Sequence, residues 1–128
     1  MTLTTNSYQP GVCNIGPAEI RQRRRVGLIG LVVAVVFLAV AFVLGIPAPY
    51  RLLVFLPVGM AASGFLQAGM HFCARFGASG LFNFGDVGPT ESVMEADFRR
   101  ADQRKAIQII VFTLIIAAVV AIVAFLIP

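Results

Sequence analysis

Two cysteines and a single histidine, Cys13, His71 and Cys73, are the residues of this 128-residue chain best suited to chemistry. Thiolate and imidazole are the usual protein ligands of zinc and of several redox metals. Cys13 follows the turn signal Pro10-Gly11, which lets an N-terminal tail fold back toward the His71–Cys73 pair. The set is incomplete as a metal site. His71 and Cys73 are two positions apart and on roughly opposite sides of a helix, so they can share an ion only if the helix ends at His71. A fourth ligand would have to come from Asp86 or from a second subunit. The simpler expectation is that both thiols stay reduced, with Cys13 mobile and Cys73 packed as a small hydrophobe; a Cys13–Cys73 redox pair is a third reading.

A second constellation overlaps the first. Gln67, His71 and Arg75 recur at i, i+4 and i+8, which on a helix puts an amide, an imidazole and a guanidinium on one face. Such a face suits a lipid phosphate or the polar group of a cofactor. Gln67 also lies at a depth comparable with Gln108 and Thr113, so it is expected to make a cross-helix hydrogen bond as structural glue. The remaining searches fail. The chain has no Gly-rich phosphate loop with lysine, no His-Glu-x-x-His, no Cys-x-x-Cys and no nucleophile elbow. The expectation is a protein that is not an enzyme and needs no cofactor, with metal entering only through Cys13, His71 and Cys73.

The elements that must position these residues are set by hydropathy. Apolar runs at 26–45 and 106–127 match the hydrocarbon thickness of a bilayer, about 30 Å at 1.5 Å per helical residue, and 52–72 is less uniform but long enough. Hydrophobic residues make up 59% of the chain and charged residues 12%, where soluble domains carry roughly 25% charge. The reading is an all-α integral membrane protein: an antiparallel bundle of three transmembrane helices, preceded by a short, polar, irregular tail at 1–16. Residues 17–128 form one membrane domain. No carboxylate falls inside a span, which argues against a proton-coupled pump.

Orientation follows from the basic residues. Arg21, Arg23, Arg24 and Arg25 precede the first span, and Arg75, Arg99, Arg100, Arg104 and Lys105 lie in the segment 73–105, while Arg51 alone lies between the first two spans. The positive-inside rule puts the N-terminus and the 73–105 segment in the cytoplasm and the C-terminus outside. The net charge of +4 therefore serves topology and lipid headgroups, and nucleic-acid binding is not expected. The apolar run of the first span, about twenty residues, is longer than the roughly 7–15 of a signal peptide and is preceded by the four-arginine cluster, so a signal anchor is the better reading. Arginine in preference to lysine, with Ala/Val/Gly-rich spans, suggests a bacterial inner membrane.

Local signals add detail. Gly16-Pro17 opens a helix expected to run to Gly45. Pro57 is expected to kink the second span mildly. The segment Phe76–Gly85 alternates glycine with bulky apolar residues, so it should lie in the interface or over the end of the bundle. Ser92 and Glu95 have capping-box spacing, which predicts a juxtamembrane helix starting there and continuing into the third span, with Glu95/Arg99 and Asp97/Arg100 as helical ion pairs. Small residues mark contact faces: Gly27, Gly30 and Ala34 on the first span, Gly59, Ser63, Gly64 and Ala68 on the second, and Ala117 and Ala121 on the third. The second helix should be central. Each helix having such a face, the expected partners are membrane lipids and either further copies of the chain or a larger membrane complex, with an accessory or structural role.

Overall fold

Three apolar stretches of this length leave the backbone one option in lipid, the helix, because every N–H and C=O must be satisfied within its own segment. The computed structural model describes residues 8–128 and has that form. Helix α1 spans Pro17–Val43, with proline in its first turn and Glu19 near its positive end. Gly45, at φ 64°, turns the chain. A short helix α2, Ala48–Arg51, a 3-10 turn at Leu52–Val54 and α3, Phe55–Met70, then make the second crossing. Pro57 falls in the first turn of α3, just after this 3-10 turn. The third crossing is α5, Ala96–Leu126. All three are long and apolar enough to span a membrane, and their outward faces are Val, Leu, Ile and Phe. The chain is an all-α, multi-pass membrane protein.

Helix α3 lies between α1 and α5. Glycine makes the α1–α3 approach possible. A Cβ on Gly64 would sit 2.4 Å from the Gly27 backbone nitrogen, and one on Gly30 would sit 2.6 Å from that of Ala61. Helix backbones in contact gain dispersion and close packing where lipid removes the hydrophobic drive. Ala117, Ala121 and Ala124 are buried on α5, and Ala34, Val54, Ala121 and Ala124 form one cluster at the end opposite the arginine-rich run 21–25. The small-residue faces are thus used inside the chain.

Arg51 lies at the end of the bundle where α2 meets the C-terminal end of α5. It is folded inward and buried, donating from Nε to the Ile46 carbonyl at 3.3 Å and from Nη1 to those of Ala124 and Ile127 at 3.2 and 2.6 Å. Its guanidinium also lies 4.6 Å from the Phe42 ring centroid. A cation here satisfies carbonyls that the end of α5 leaves without intrahelical partners.

At the basic end, three sequence expectations change. Helix α3 stops at Met70, because His71 adopts the left-handed conformation at φ 55°. A separate helix α4, Ala74–Ser79, follows and ends at Gly80, which is left-handed at φ 71°. Helix α5 begins at Ala96, not at Ser92, and Glu95 is its N-cap without a side-chain bond. The cause is non-local. Leu81–Phe82 (β1) pairs antiparallel with Glu91–Ser92 (β2), and the Val93 N–H donates to the Gly80 carbonyl, so the backbone at Ser92 is extended. Arg99 likewise turns from Glu95 to the carbonyls of Val93 and Met94, while the Asp97–Arg100 pair forms as expected.

Candidate functional site

The polar chemistry of the chain is gathered where the tail, α4 and the β1–β2 hairpin cover the basic end of the bundle. Residues 8–16 are built into this cap. Gln9 and Cys13 exchange backbone hydrogen bonds across a turn, and Ile15 forms a parallel bridge with Asn83. Ile15 packs with Ile20, Ala68, Cys73 and Phe76. That apolar anchor explains why a segment without charge and without helix is held.

Asn14 is fully buried and joins two of the three candidate ligands. Its N–H donates to the His71 carbonyl at 3.1 Å, its Oδ1 accepts from the Cys73 N–H at 2.7 Å, and its Nδ2 donates to the Cys73 carbonyl at 3.1 Å. The Asn83 N–H donates to the Asn14 carbonyl at 2.9 Å. Asn83 carries the network onward, giving an Nδ2 hydrogen to Glu19 Oε2 at 2.8 Å. Glu19 Oε1 pairs with Arg23 Nη1 at 2.9 Å, and Arg23 Nη2 lies 3.0 Å from Cys73 Sγ. A buried carboxylate with both oxygens engaged by a cation and an amide is the arrangement burial requires.

The tail is also latched to α5. Asp102, fully buried, accepts from the Tyr8 hydroxyl at 2.6 Å and from the Gly11 N–H at 2.7 Å. Tyr8 stacks on Phe82, centroids 4.9 Å apart. Burial, then the hydrogen bond and negative charge of Asp102, push the Tyr8 phenol well above its ordinary range. Burial also raises the Cys13 thiol, against a smaller opposing effect of the Ile15 carbonyl that it meets at 3.6 Å.

Cys13, His71 and Cys73 are thus brought to one end of the molecule, but through Asn14 and the backbone. Cys13 and Cys73 are both buried thiols, so Cys13 is not the mobile residue expected. Among the described residues no group of three His, Cys, Asp or Glu side chains is gathered so as to hold a metal ion. The Gln67–His71–Arg75 stripe is broken by the end of α3. Gln67 instead donates to the Ser63 carbonyl and hydroxyl at 3.1 and 2.8 Å and accepts from the Ala74 N–H at 2.9 Å, fixing the junction with α4. Among the described residues Gln67 makes no bond to α5, and Thr113 Oγ1 is buried without a partner.

Gln67 and Arg75 do meet again in the wall of a pocket of about 410 Å³, with Arg23, Gln22, Cys73 and Phe76. The guanidinium carbons of Arg23 and Arg75 each lie 5.7 Å from the Phe76 ring centroid. Sequence reasoning missed Asn14, Asn83 and Asp102. Asparagines between apolar neighbours, as in Cys13-Asn14-Ile15 and Phe82-Asn83-Phe84, were the available signal, because a polar residue so flanked is buried with partners when its neighbours are buried. Comparison with protein-family models, curated proteins and solved structures gives no match, so the function of this membrane protein has to be read from its own residues.

Proposed function

We propose that this chain is a non-enzymatic accessory subunit of a bacterial inner membrane, with its N-terminus and the 73–105 segment in the cytoplasm and its C-terminus outside. The observation that supports the reading is the folded cap. Nine of the ten basic residues accompany it, and it presents apolar side chains outside the spans, Met94 at 82% and Val12 at 55% exposure. These side chains are free to meet a membrane-bound partner. The small-residue faces, being used within the chain, lend nothing to self-association, so a larger membrane complex is the favoured partner over further copies. A reporter active only outside the cytoplasm should be active when fused after Pro128 and silent when fused at Gly88. The reverse pattern removes the orientation. Mild-detergent purification with crosslinking through a cysteine placed at Met94 should return a defined heteromeric product; a monomer alone removes the accessory role.

One observation supports a second reading, a thiol-redox site: the 3.0 Å approach of Arg23 Nη2 to Cys73 Sγ on a pocket wall. Cys73 would then react with a small oxidant in the folded protein before Cys13 does. Mass spectrometry after limited peroxide treatment should then show Cys73 oxidised ahead of Cys13; the reverse order removes this reading.

A further inference from the structure

The pocket at the basic end holds more positive charge than its own carboxylates neutralise. Glu19 is fully engaged, one oxygen on Arg23 and the other on Asn83. Arg75 forms no ion pair among the described residues and is held only against Phe76. A neighbouring depression shares Gln22 and Val87 with the pocket and adds Arg21 and Arg25 against Asp86 alone. Four arginines therefore face two carboxylates.

Position narrows the ligand. The pocket wall includes Val26, where the first apolar run begins, and Gln67, in the last turn of α3, so it opens at the level of the lipid headgroups. Guanidinium groups bind phosphate through paired N–H donors, and Arg23 uses only some of its donors on Glu19, Gln22 and Cys73. The volume of about 410 Å³ falls within the usual range of small-ligand sites, about 300–1,000 Å³.

We infer that this pocket binds the phosphate group of an anionic ligand between Arg23 and Arg75, beside the face of Phe76, and that at this depth the ligand is an anionic phospholipid headgroup. The site goes beyond the accessory role and does not depend on it, or on which way the chain is inserted.

The test is thermal unfolding of the whole chain in a neutral detergent, with phosphatidylglycerol or phosphatidylcholine added, and in separate samples with sodium glycerol phosphate at matched ionic strength. A ligand that binds only the folded state raises the midpoint with concentration. Phosphatidylglycerol should raise it by several degrees and phosphatidylcholine should not. Arg75→Gln should lose most of that rise, and Arg104→Gln, an equal charge change at an exposed position outside the pocket, should keep it. Arg75 is chosen because, unlike Arg23, it holds no buried carboxylate. A rise with glycerol phosphate as large as with the lipid supports the phosphate site and assigns it to a soluble anion. Equal rises with both lipids, no rise at all, or equal losses in the two variants overturn the site.

Discussion

The side chain of Asn14 pairs with the main chain of Cys73 as a neighbouring strand would, Oδ1 accepting the Cys73 N–H at 2.7 Å and Nδ2 donating to its carbonyl at 3.1 Å. The pairing spans the break between α3 and α4, where the left-handed His71 leaves the Cys73 N–H without a helical partner. The Cys73 carbonyl has a second donor, the Gly77 N–H at 2.9 Å, but its N–H depends on Asn14. Asn14→Ala should therefore strand one buried donor, at a cost of about 1–3 kcal/mol. Asn14→Asp should cost more at neutral pH, because it keeps the acceptor but sets a buried negative charge against the Cys73 carbonyl. The order wild type, Ala, Asp in thermal midpoint checks this; Asp equal to wild type would remove the pairing.

Arg51 holds the other end. Its bonds to Ala124 and Ile127 tie the end of α5 to the start of the second crossing. Bonds from charged donors contribute about 1.5–3 kcal/mol each, so Arg51→Met should lower the midpoint and loosen the last turn of α5. Arg51→Lys, with a point charge in place of a planar fork, should recover part of the loss. Hydrogen exchange at Val123–Leu126 reads the loosening directly; unchanged protection in Arg51→Met would show that the carbonyls are satisfied without it.

The helices were legible because one property, apolar length, decides them. Helix α1 starts at the proline that marks it, and α5 carries the third span as expected. The end of the second span was less legible, since nothing between Met70 and Arg75 breaks a helix except the αL conformation of His71, which Asn14 secures from a distant part of the chain. The start of α5 was misread for a related reason. Ser92 and Glu95 satisfy a local capping rule, but the pairing of Ser92 with Leu81 is long-range and wins. Of the site, Gln67, Arg75 and Cys73 share a pocket wall as residues of one end, and Arg23, read from the sequence as a topology signal, lines the same pocket.

Close backbone approach predicts a steep size limit on α3. Even one added methyl at Gly64 would meet the Gly27 nitrogen at 2.4 Å and the Arg23 carbonyl at 2.6 Å, neither of which can swing aside as a side chain can. Gly64→Ala should cost about 1–3 kcal/mol as overpacking, and Gly64→Leu more, by parting α1 from α3. Val36→Leu, on a lipid-facing position 55% exposed, should be nearly silent. Equal midpoints in detergent for wild type and Gly64→Leu would show that α1 and α3 do not touch there.

Alkali should undock the tail before it unfolds the bundle. The Tyr8 phenol and the Cys13 thiol both lie above their ordinary values of 10.0 and 9.0 in the folded chain, the first chiefly from burial and then from Asp102, the second chiefly from burial. A group that loses its proton less readily when folded stabilises the fold fully below its ordinary value and ceases to do so as pH rises above it. The tail should thus be held at constant strength through neutral pH and weaken from about pH 9 upward, first through Cys13 and then through Tyr8. Alkylation of Cys13, followed against Cys73 by mass spectrometry, should accelerate over this range beyond the tenfold per pH unit that thiol ionisation alone allows at most. Tyr8→Phe removes the hydroxyl bond to Asp102, so it should raise the alkylation rate already at neutral pH, where its loss exposes Cys13 without any titration. If Tyr8→Phe and wild type react at the same rate at neutral pH, the latch to Asp102 does not hold the tail.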